Sequence, residues 1–379
     1  MVASSEMNLI SQASEEKPKN VLVTGILGQD GANMAEYLLS TTNHQVFGMM
    51  RRSANPNFIN TKNFKDKENF KFVFGDLSDD VSIDNLVKKL QPEYLINFGA
   101  NSFVGCSWDM PEQVMDVNSL GVLRCLESIR KFKKDCRFYS AGSSEEFGNI
   151  DYFPQDMKHP VKPRSPYGVS KATARHLVKV YRESYNMFAV HGILFNHEGT
   201  KRGEEFVTRK ITKGVAKIKL AISKGKEFKP IALGNLKAKR DWSDSEDFVR
   251  GVWLMVNQQK PKDYILASGE THSIAEFVEK AFDSAKIKGD WLEVEGTQTP
   301  EGTFIADPLA TKYIHEKSGK PLVVIDPSFF RPAEVNLLLG DPRPAMKELK
   351  WRRLTSFDKL VEKMVNHDIK ESLEEDEQK

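Results

Sequence analysis

One short stretch near the start limits the fold more than any other part of the chain. Residues 20–24 (Asn-Val-Leu-Val-Thr) form an apolar run with the length of a buried strand, and they lead directly into Gly25-Ile26-Leu27-Gly28-Gln29-Asp30-Gly31. Residues 31–40 then carry Met34, Tyr37 and Leu38 at helical spacing. A buried strand joined to a helix by a glycine-rich turn is the first half of a parallel β–α–β unit. The pattern recurs: strands fit 45–50, 70–74, 94–98, 137–140 and 188–195, and helices fit 81–90, 117–132 and 170–185. Strands and helices in alternation pair in parallel through right-handed crossovers. The predicted fold class is therefore α/β, a doubly wound parallel sheet.

After about Asn196 the alternation loosens into basic, glycine-containing loops at 197–205 and 234–241, before a last helix at 357–368. This organisation predicts a nucleotide-binding domain of Rossmann type over 19–195. Over 196–368 it predicts a smaller, mainly substrate-binding lobe, with some segments returning to the first domain. Residues 1–18 and the acidic 369–379 are expected to be disordered tails.

The formal net charge of +2 is too small to favour nucleic acid or a membrane surface as a partner. No apolar run approaches the roughly 20 residues that span a bilayer, and the first residues include acidic side chains and no apolar signal core. Cys106, Cys125 and Cys136 are an odd number without metal or redox spacing, and read as reduced packing thiols. These features together predict a cytoplasmic protein.

The glycine turn has a definite chemistry. Its G-x-x-G-x-x-G spacing permits a tight turn, close approach of backbone to a pyrophosphate, and close helix packing. The helix N-terminus adds N–H groups and a partial positive charge. Gly25, Gly28, Gln29, Asp30 and Gly31 are thus the expected dinucleotide contacts, in the short-chain dehydrogenase version of the motif. At the end of the second strand NAD enzymes place a carboxylate for the ribose 2′-hydroxyl. Here Met50 is followed by Arg51-Arg52-Ser53, and two guanidiniums suit a 2′-phosphate, so the expected cofactor is NADP. The plain alternative is a pair of solvated surface arginines. Asp76-Leu77 after the third strand, and Gly99, Ala100, Asn101 and Ser102 after the fourth, fall where the adenine and the second ribose lie.

Tyr167-Gly168-Val169-Ser170-Lys171 places a phenol and an ammonium four residues apart, on one helical face. A free phenol titrates near 10, and a neighbouring cation lowers that value, so Tyr167 can accept a proton from a sugar hydroxyl. Upstream, Ser140-Ala141-Gly142-Ser143-Ser144-Glu145-Glu146-Phe147-Gly148 follows the fifth strand, at the strand end where such sheets bind ligands. Ser143 is expected to bond the same sugar oxygen as Tyr167, and Ser102, Ser143, Ser144 and Glu145 to line the sugar. Glu145 is the distinctive residue, because a carboxylate beside C5 allows proton abstraction once C4 is a ketone. Glu146 reads more simply, as a helix cap or a water-facing side chain.

With these motifs stand 192–198 (Gly-Ile-Leu-Phe-Asn-His-Glu) and 202–211 (Arg-Gly-Glu-Glu-Phe-Val-Thr-Arg-Lys-Ile). Gly234-Asn235-Leu236 with Lys239-Arg240-Asp241-Trp242, and Phe330-Arg331-Pro332-Ala333-Glu334-Val335, complete the set. Over about residues 20–368 the chain resembles the GDP-mannose 4,6-dehydratases of the extended short-chain dehydrogenase superfamily. The resemblance implies a catalytic set of Ser143, Glu145 and Tyr167 assisted by Lys171, with His197 and Arg202 touching NADP. Asn196, Lys210, Arg240, Arg331 and Glu334 would hold the GDP part. It further implies oxidation at C4, loss of water across C5 and C6, and return of the stored hydride to C6. A homo-oligomer, dimer or tetramer, is implied as well, with the 51–60 loop near a subunit boundary. The family usually has threonine where Ser143 stands, an apolar residue at Glu146 and histidine at Phe103.

Three other readings compete. One is an NADPH-dependent reductase of a GDP-4-keto-6-deoxy sugar, and another is a 4,6-dehydratase of a different GDP sugar such as GDP-manno-heptose. The third is a non-catalytic NADP-binding regulator, against which stands the joint presence of Tyr167, Lys171 and Glu145.

Overall fold

The apolar runs read as strands enter one seven-stranded sheet. In the computed structural model, described over residues 17–292, 295–298, 304–306, 309–330, 335 and 337–377, its strands are β1 (Asn20–Thr24), β2 (Gln45–Met50), β3 (Phe70–Phe74), β4 (Tyr94–Asn97), β5 (Arg137–Ala141), β6 (Ala189–Leu194) and β7 (Tyr264–Leu266). Their order is β7-β6-β5-β4-β1-β2-β3, and every neighbouring pair is parallel. The chain winds outward from β1 through β2 and β3, then returns to add β4, β5 and β6 on the other side. The topological switch point therefore lies between β1 and β4, where open sheets of this kind bind ligands beyond the strand ends.

Both faces of the sheet are covered, which is why its strands read as nearly continuous apolar runs. Val21, Val23, Ile96, Tyr139 and Val190 point into one core, with α1 (Gln29–Thr41) and α5 (Ser245–Val256) packed on them through Met34, Leu38, Val249 and Val252. The alternate residues Leu22, Leu95, Phe138 and Ala189 point into a second core against α2 (Asp80–Leu90), α3 (Gly121–Phe132) and α4 (Pro166–Tyr185). Each fully buried aliphatic side chain contributes roughly 1.5–3 kcal/mol of transfer free energy.

The chain divides into two units. The first runs to His197 and includes Ser243–Gly269 and Leu339–Leu354; the second takes Glu198–Trp242, Glu270–Leu338 and the chain from Thr355. The second unit has its own core, in which Ile211, Val215, Phe277, Phe282, Leu360 and Met364 come from helices Val207–Ser223, Ile274–Ser284 and Phe357–Glu377. Its four-stranded sheet contains Ile231–Leu233 beside Pro321–Ile325.

The structure differs from the sequence reading locally in three places. Helix α4 starts at Pro166, four residues earlier than periodicity suggested, because Ser165 caps it: the Ser165 hydroxyl accepts from Gly168 N–H at 3.0 Å, and proline occupies the first turn. The last helix does not stop at Asp368 but continues to Glu377, where an acidic tail was expected. Glu371 is tied to Lys213 and Arg209 at 3.0 and 3.2 Å, so acidic residues there have fixed cationic partners. Finally, α3 is preceded by a π-helical turn, Asp116–Leu120. The expected tail at 1–18 lies almost wholly outside the described residues.

Candidate active site

The glycine turn after β1 is built by close backbone approach. Gly25 has φ of +67°, and a Cβ there would lie 2.8 Å from Gly99 N. A Cβ on Gly31 would lie 2.3 Å from Gly25 O. Gly28 occupies the cap position of α1 with extended backbone and offers no capping side chain, so the first turn of that helix presents its N–H groups without a side-chain acceptor at the cap. Across the switch point, Thr24 Oγ1 accepts from Gly99 N–H at 2.9 Å and donates to Asn97 Oδ1 at 2.6 Å, locking β1 to the loop after β4. Leu77 is buried beneath that loop, with its Cδ1 2.8 Å from where a Gly99 Cβ would be. A turn whose glycines allow close backbone approach at a helix N-terminus fits a dinucleotide pyrophosphate.

The other residues assigned to the cofactor fall into two classes. Gln29, Asp30 and His197 bond to one another: Gln29 Nε2 donates to His197 O at 3.0 Å, and His197 Nε2 lies 2.9 Å from Asp30 Oδ2. His197 Nδ1 faces Phe195 O at 2.7 Å. Asp76 accepts from the Ser78 N–H and hydroxyl, which shapes the turn after β3. By contrast, Arg51, Arg52 and Ser53 are exposed, and neither arginine has an ion-pair partner among the described residues. Ala100 is half-buried and Ser102 is exposed.

Tyr167 and Lys171 project from the first turns of α4, both nearly buried. Lys171 Nζ donates to Ala141 O, at the end of β5, at 2.7 Å, and lies 5.8 Å from the centre of the Tyr167 ring. Burial pulls the Lys171 ammonium down to about 8, against the opposing pull of Glu146 and Asp30. The turn after β5 supplies the other candidates. Ser143 caps a short 3₁₀ turn over Ser144–Glu146, its Oγ accepting from Glu145 N–H at 3.2 Å. Glu145 is 9% exposed. The turn leans on α4 at a second glycine contact, since a Cβ on Gly168 would lie 2.6 Å from Glu145 O. Ser143, Glu145, Tyr167 and Lys171 are thus held on two touching elements.

Glu146 corrects the simple reading in part. It does cap, accepting from Ser143 N–H at 2.8 Å, but it faces no water at all. Its Oε1 lies 2.9 Å from His191 Nε2 and its Oε2 3.9 Å from Arg175 Nη1. Burial would raise this carboxyl; His191, the Ser143 N–H and Arg175 prevail and hold it below the usual carboxylate range.

Sequence reasoning missed Asn118. Its side chain accepts from Asn101 N–H at 2.8 Å and donates to Asn101 O and to Ser170 Oγ, at 3.1 and 3.0 Å. It thereby joins the loop after β4 to α4. The π-helical turn turns Asn118 and Ser119 inward, and Ser119 Oγ donates to Ser170 O at 3.0 Å. Two polar residues on the buried side of a helical pattern were the available signal.

Residues assigned to the GDP part are described one by one. Asn196 is half-buried at the end of the first unit. In the second unit, Lys210 Nζ lies 3.2 Å from the centre of the Phe329 ring. Burial lowers its ammonium while Asp326 opposes. Arg240 is buried, with Nη1 donating to Lys239 O at 2.9 Å. Arg202, assigned to the cofactor, has its guanidinium 3.5 Å from the Phe206 ring centre and its Nε 3.0 Å from Glu198 Oε2. Arg331 and Glu334 lie outside the described residues.

Comparison with known proteins agrees with this geometry. A family model described as GDP-mannose 4,6 dehydratase matches residues 22–364. The GDP-mannose 4,6 dehydratase of Dictyostelium discoideum is 42% identical over 364 residues, covering 94% of this chain and 97% of that protein. The Homo sapiens protein of the same name is 39% identical over 362 residues, covering 93% and 92%. The crystal structure of dTDP-glucose 4,6-dehydratase from Bacillus anthracis in complex with NAD shares the fold, with a TM-score of 0.72 at 18% identity, covering 94% of this chain and 98% of that one. A Rossmann-type sheet of the extended short-chain dehydrogenase kind, a tyrosine–lysine pair and a glutamate on the adjoining turn therefore occur here in a chain that belongs to the GDP-mannose 4,6-dehydratase family.

Proposed function

We propose that the chain is an NADP-dependent hydro-lyase that converts GDP-mannose to GDP-4-keto-6-deoxymannose, and that it works as a cytoplasmic homo-oligomer. The observation that carries this reading is the pairing of Tyr167 and Lys171 on α4 with Ser143 and Glu145 on the turn packed against it. The first unit would hold the cofactor and the second, through Lys210 and Arg240, the GDP part. Arg51 and Arg52, exposed at the end of β2, would clamp the 2′-phosphate.

Tyr167 Oη takes the proton of the C4 hydroxyl, and the Lys171 ammonium beside it stabilises the phenolate that does so. One of the three ammonium hydrogens of Lys171 is committed to Ala141 O, which aims the other two. Ser143 Oγ already accepts from Glu145 N–H, so its own hydrogen is available to the C4 oxygen. A dinucleotide with its pyrophosphate on the glycine turn would supply, through its nicotinamide, a reversible hydride acceptor. The Glu145 carboxylate removes the C5 proton, which the C4 ketone has made acidic, and passes a proton to the departing C6 hydroxyl. The hydride taken from C4 would return to C6, and the proton taken from the C4 hydroxyl would be restored to C5, so no external reductant is needed.

The test is incubation with GDP-mannose and a substoichiometric amount of NADP, with product masses followed over time. Product lighter by one water, formed in excess of the cofactor, is expected. No such product from GDP-mannose would overturn the assignment. Stoichiometric consumption of NADPH with a keto-deoxy sugar would point to a reductase, and turnover only of a larger GDP sugar to a heptose enzyme.

A further inference from the structure

The proposed chemistry uses Glu145 and leaves its neighbour Glu146 without a role, yet Glu146 is the more deeply buried of the two. An isolated carboxylate out of water costs several kcal/mol, and this one is engaged through Oε1 by two hydrogen-bond partners, while Oε2 has only the Arg175 guanidinium at 3.9 Å. Its partners come from three directions: Ser143 N–H on its own turn, His191 on β6 and Arg175 on α4. The space for the pair exists because residue 142 is glycine: a Cβ there would lie 2.2 Å from His191 Nε2 and 2.7 Å from Glu146 Oε1. His191 is itself held, with Nδ1 3.3 Å from Ser140 Oγ and its backbone N–H donating to Asp263 Oδ1 at 2.8 Å.

We propose that Glu146 is a positioning residue of this active site: a buried carboxylate, seated beside Gly142, gripped by His191 and Ser143 N–H and faced by Arg175, that fixes the Ser143–Glu145 turn and supports the Lys171 ammonium. The mechanical half follows from the shared turn. Glu146 Oε1 grips the backbone of Ser143 while Ser143 Oγ grips the backbone of Glu145, so both reacting side chains are aimed through Glu146. The electrostatic half follows from the charges around the site. Glu146 faces His191, Arg175, Lys171 and the Tyr139 phenol on β5; Lys171 faces Glu146, Asp30 on α1 and Tyr167. Lys171 Nζ is seated on Ala141 O, the residue before Gly142, and the negative charges of Glu146 and Asp30 oppose the effect of burial on its ammonium.

The inference rests on the proposed reaction for its purpose, but its first test needs no substrate. Lysine labelled with 13C at Cε is titrated by NMR in the holoenzyme, the Lys171 signal being assigned by its absence from Lys171→Arg. Glu146→Gln keeps an oxygen for Ser143 N–H and the same volume while removing the charge. The Lys171 midpoint should fall by at least about half a pH unit. A midpoint unchanged or raised overturns the electrostatic half.

Glu146→Asp tests the mechanical half and keeps the charge. It draws the carboxylate back from Ser143 by one methylene, and should lower kcat about 10- to 100-fold with KM nearly unchanged and the Lys171 midpoint retained. Wild-type kcat in Glu146→Asp overturns it. Should Glu146→Gln not fold, Glu146→Asp still decides the positioning role. The kcat ratio is taken on whichever sugar nucleotide the wild type converts. An enzyme inactive on GDP-mannose whose Lys171 midpoint falls in Glu146→Gln would refute the substrate assignment and leave this inference standing.

Discussion

Replacing Lys171 with methionine separates what the ammonium costs from what it does. Lys171 is 5% exposed, and burial draws its titration from the ordinary 10.5 to about 8. A depression of that size corresponds to about 3 kcal/mol of unfavourable charge burial at neutral pH. Methionine removes the donor to Ala141 O, and leaving that carbonyl unpaired costs about 1–3 kcal/mol in return. Methionine fills a similar volume without charge, so Lys171→Met should be as stable as the wild type at pH 7, or more stable by up to about 1–2 kcal/mol. The pH dependence has a definite sign. Between about 8 and 10.5 the unfolded chain holds the lysine proton and the folded chain has released it, so wild-type stability gains from this group as pH rises through that window. Below pH 8 the gain is absent, and the variant lacks it throughout. Urea unfolding of both proteins at pH 7 and pH 9.5 measures the difference. Activity should move the other way. Loss of the cation raises the Tyr167 phenol by about 1–3 units, which lowers the phenolate fraction and kcat by roughly 10- to 1,000-fold. A variant several kcal/mol less stable at pH 7, or one with wild-type kcat, would show that Lys171 is a structural residue and refute this account.

Three further outcomes are expected. Glu145→Gln should still oxidise C4 but stall before water is lost, so NADPH absorbance should build up to about one equivalent per site; full turnover would remove Glu145 from the elimination. Arg51→Ala combined with Arg52→Ala should weaken NADP binding by one to two orders of magnitude in titration calorimetry and leave NAD binding nearly unchanged, since only the 2′-phosphate contact is lost; equal weakening of both cofactors would show that the arginines do not read the 2′-phosphate. Asp368, buried beside Arg209, is pushed up to about 6 by burial, with Thr212 and Arg209 opposing. The folded chain thus holds a proton that the unfolded chain releases near 4, and this group's contribution falls as pH rises from about 4 to 6. Asp368→Asn should flatten that part of the melting-temperature profile, and an unchanged slope would contradict it.

The parts of the molecule legible from its sequence are those in which one local pattern determines the outcome. Residues 20–31 were readable because an apolar run, three glycines and a helical stripe each exclude most alternatives. Six strands were likewise found, since burial on both faces gives continuous apolar runs. β7 was not, because three residues (Tyr264–Leu266) make too short a run to stand out. Helix α4 was placed late because Tyr167-Gly168-Val169 has no helical stripe, and its start depends on the Ser165 cap instead. Asn118 and the Glu146–His191 contact escaped for a different reason. Their partners are 17 to 52 residues distant, and nothing local distinguishes a buried asparagine or glutamate with a partner from an exposed one. The last helix was cut short because the acidic stretch after Asp368 resembles a solvated tail until Arg209 and Lys213 are seen opposite it.

The arrangement also explains how one fold can carry both oxidation and elimination. Tyr167 and Lys171 sit on a helix whose register to the sheet is fixed by the bond from Lys171 to Ala141 O and by the Asn118 link to Ser170. In the proposed reaction that half of the site performs the alcohol oxidation and requires nothing from residue 145. The proposed elimination base, Glu145, is on a separate element, the turn after β5, which Gly168 lets approach α4. A side chain at residue 168 would push residue 145 away from the phenol while leaving the Tyr167–Lys171 pair intact. The distance between an oxidoreductase and a dehydratase on this scaffold is therefore the seating of one short turn. That seating depends on three features outside the reacting set: the missing side chains of Gly142 and Gly168, and the buried charge of Glu146.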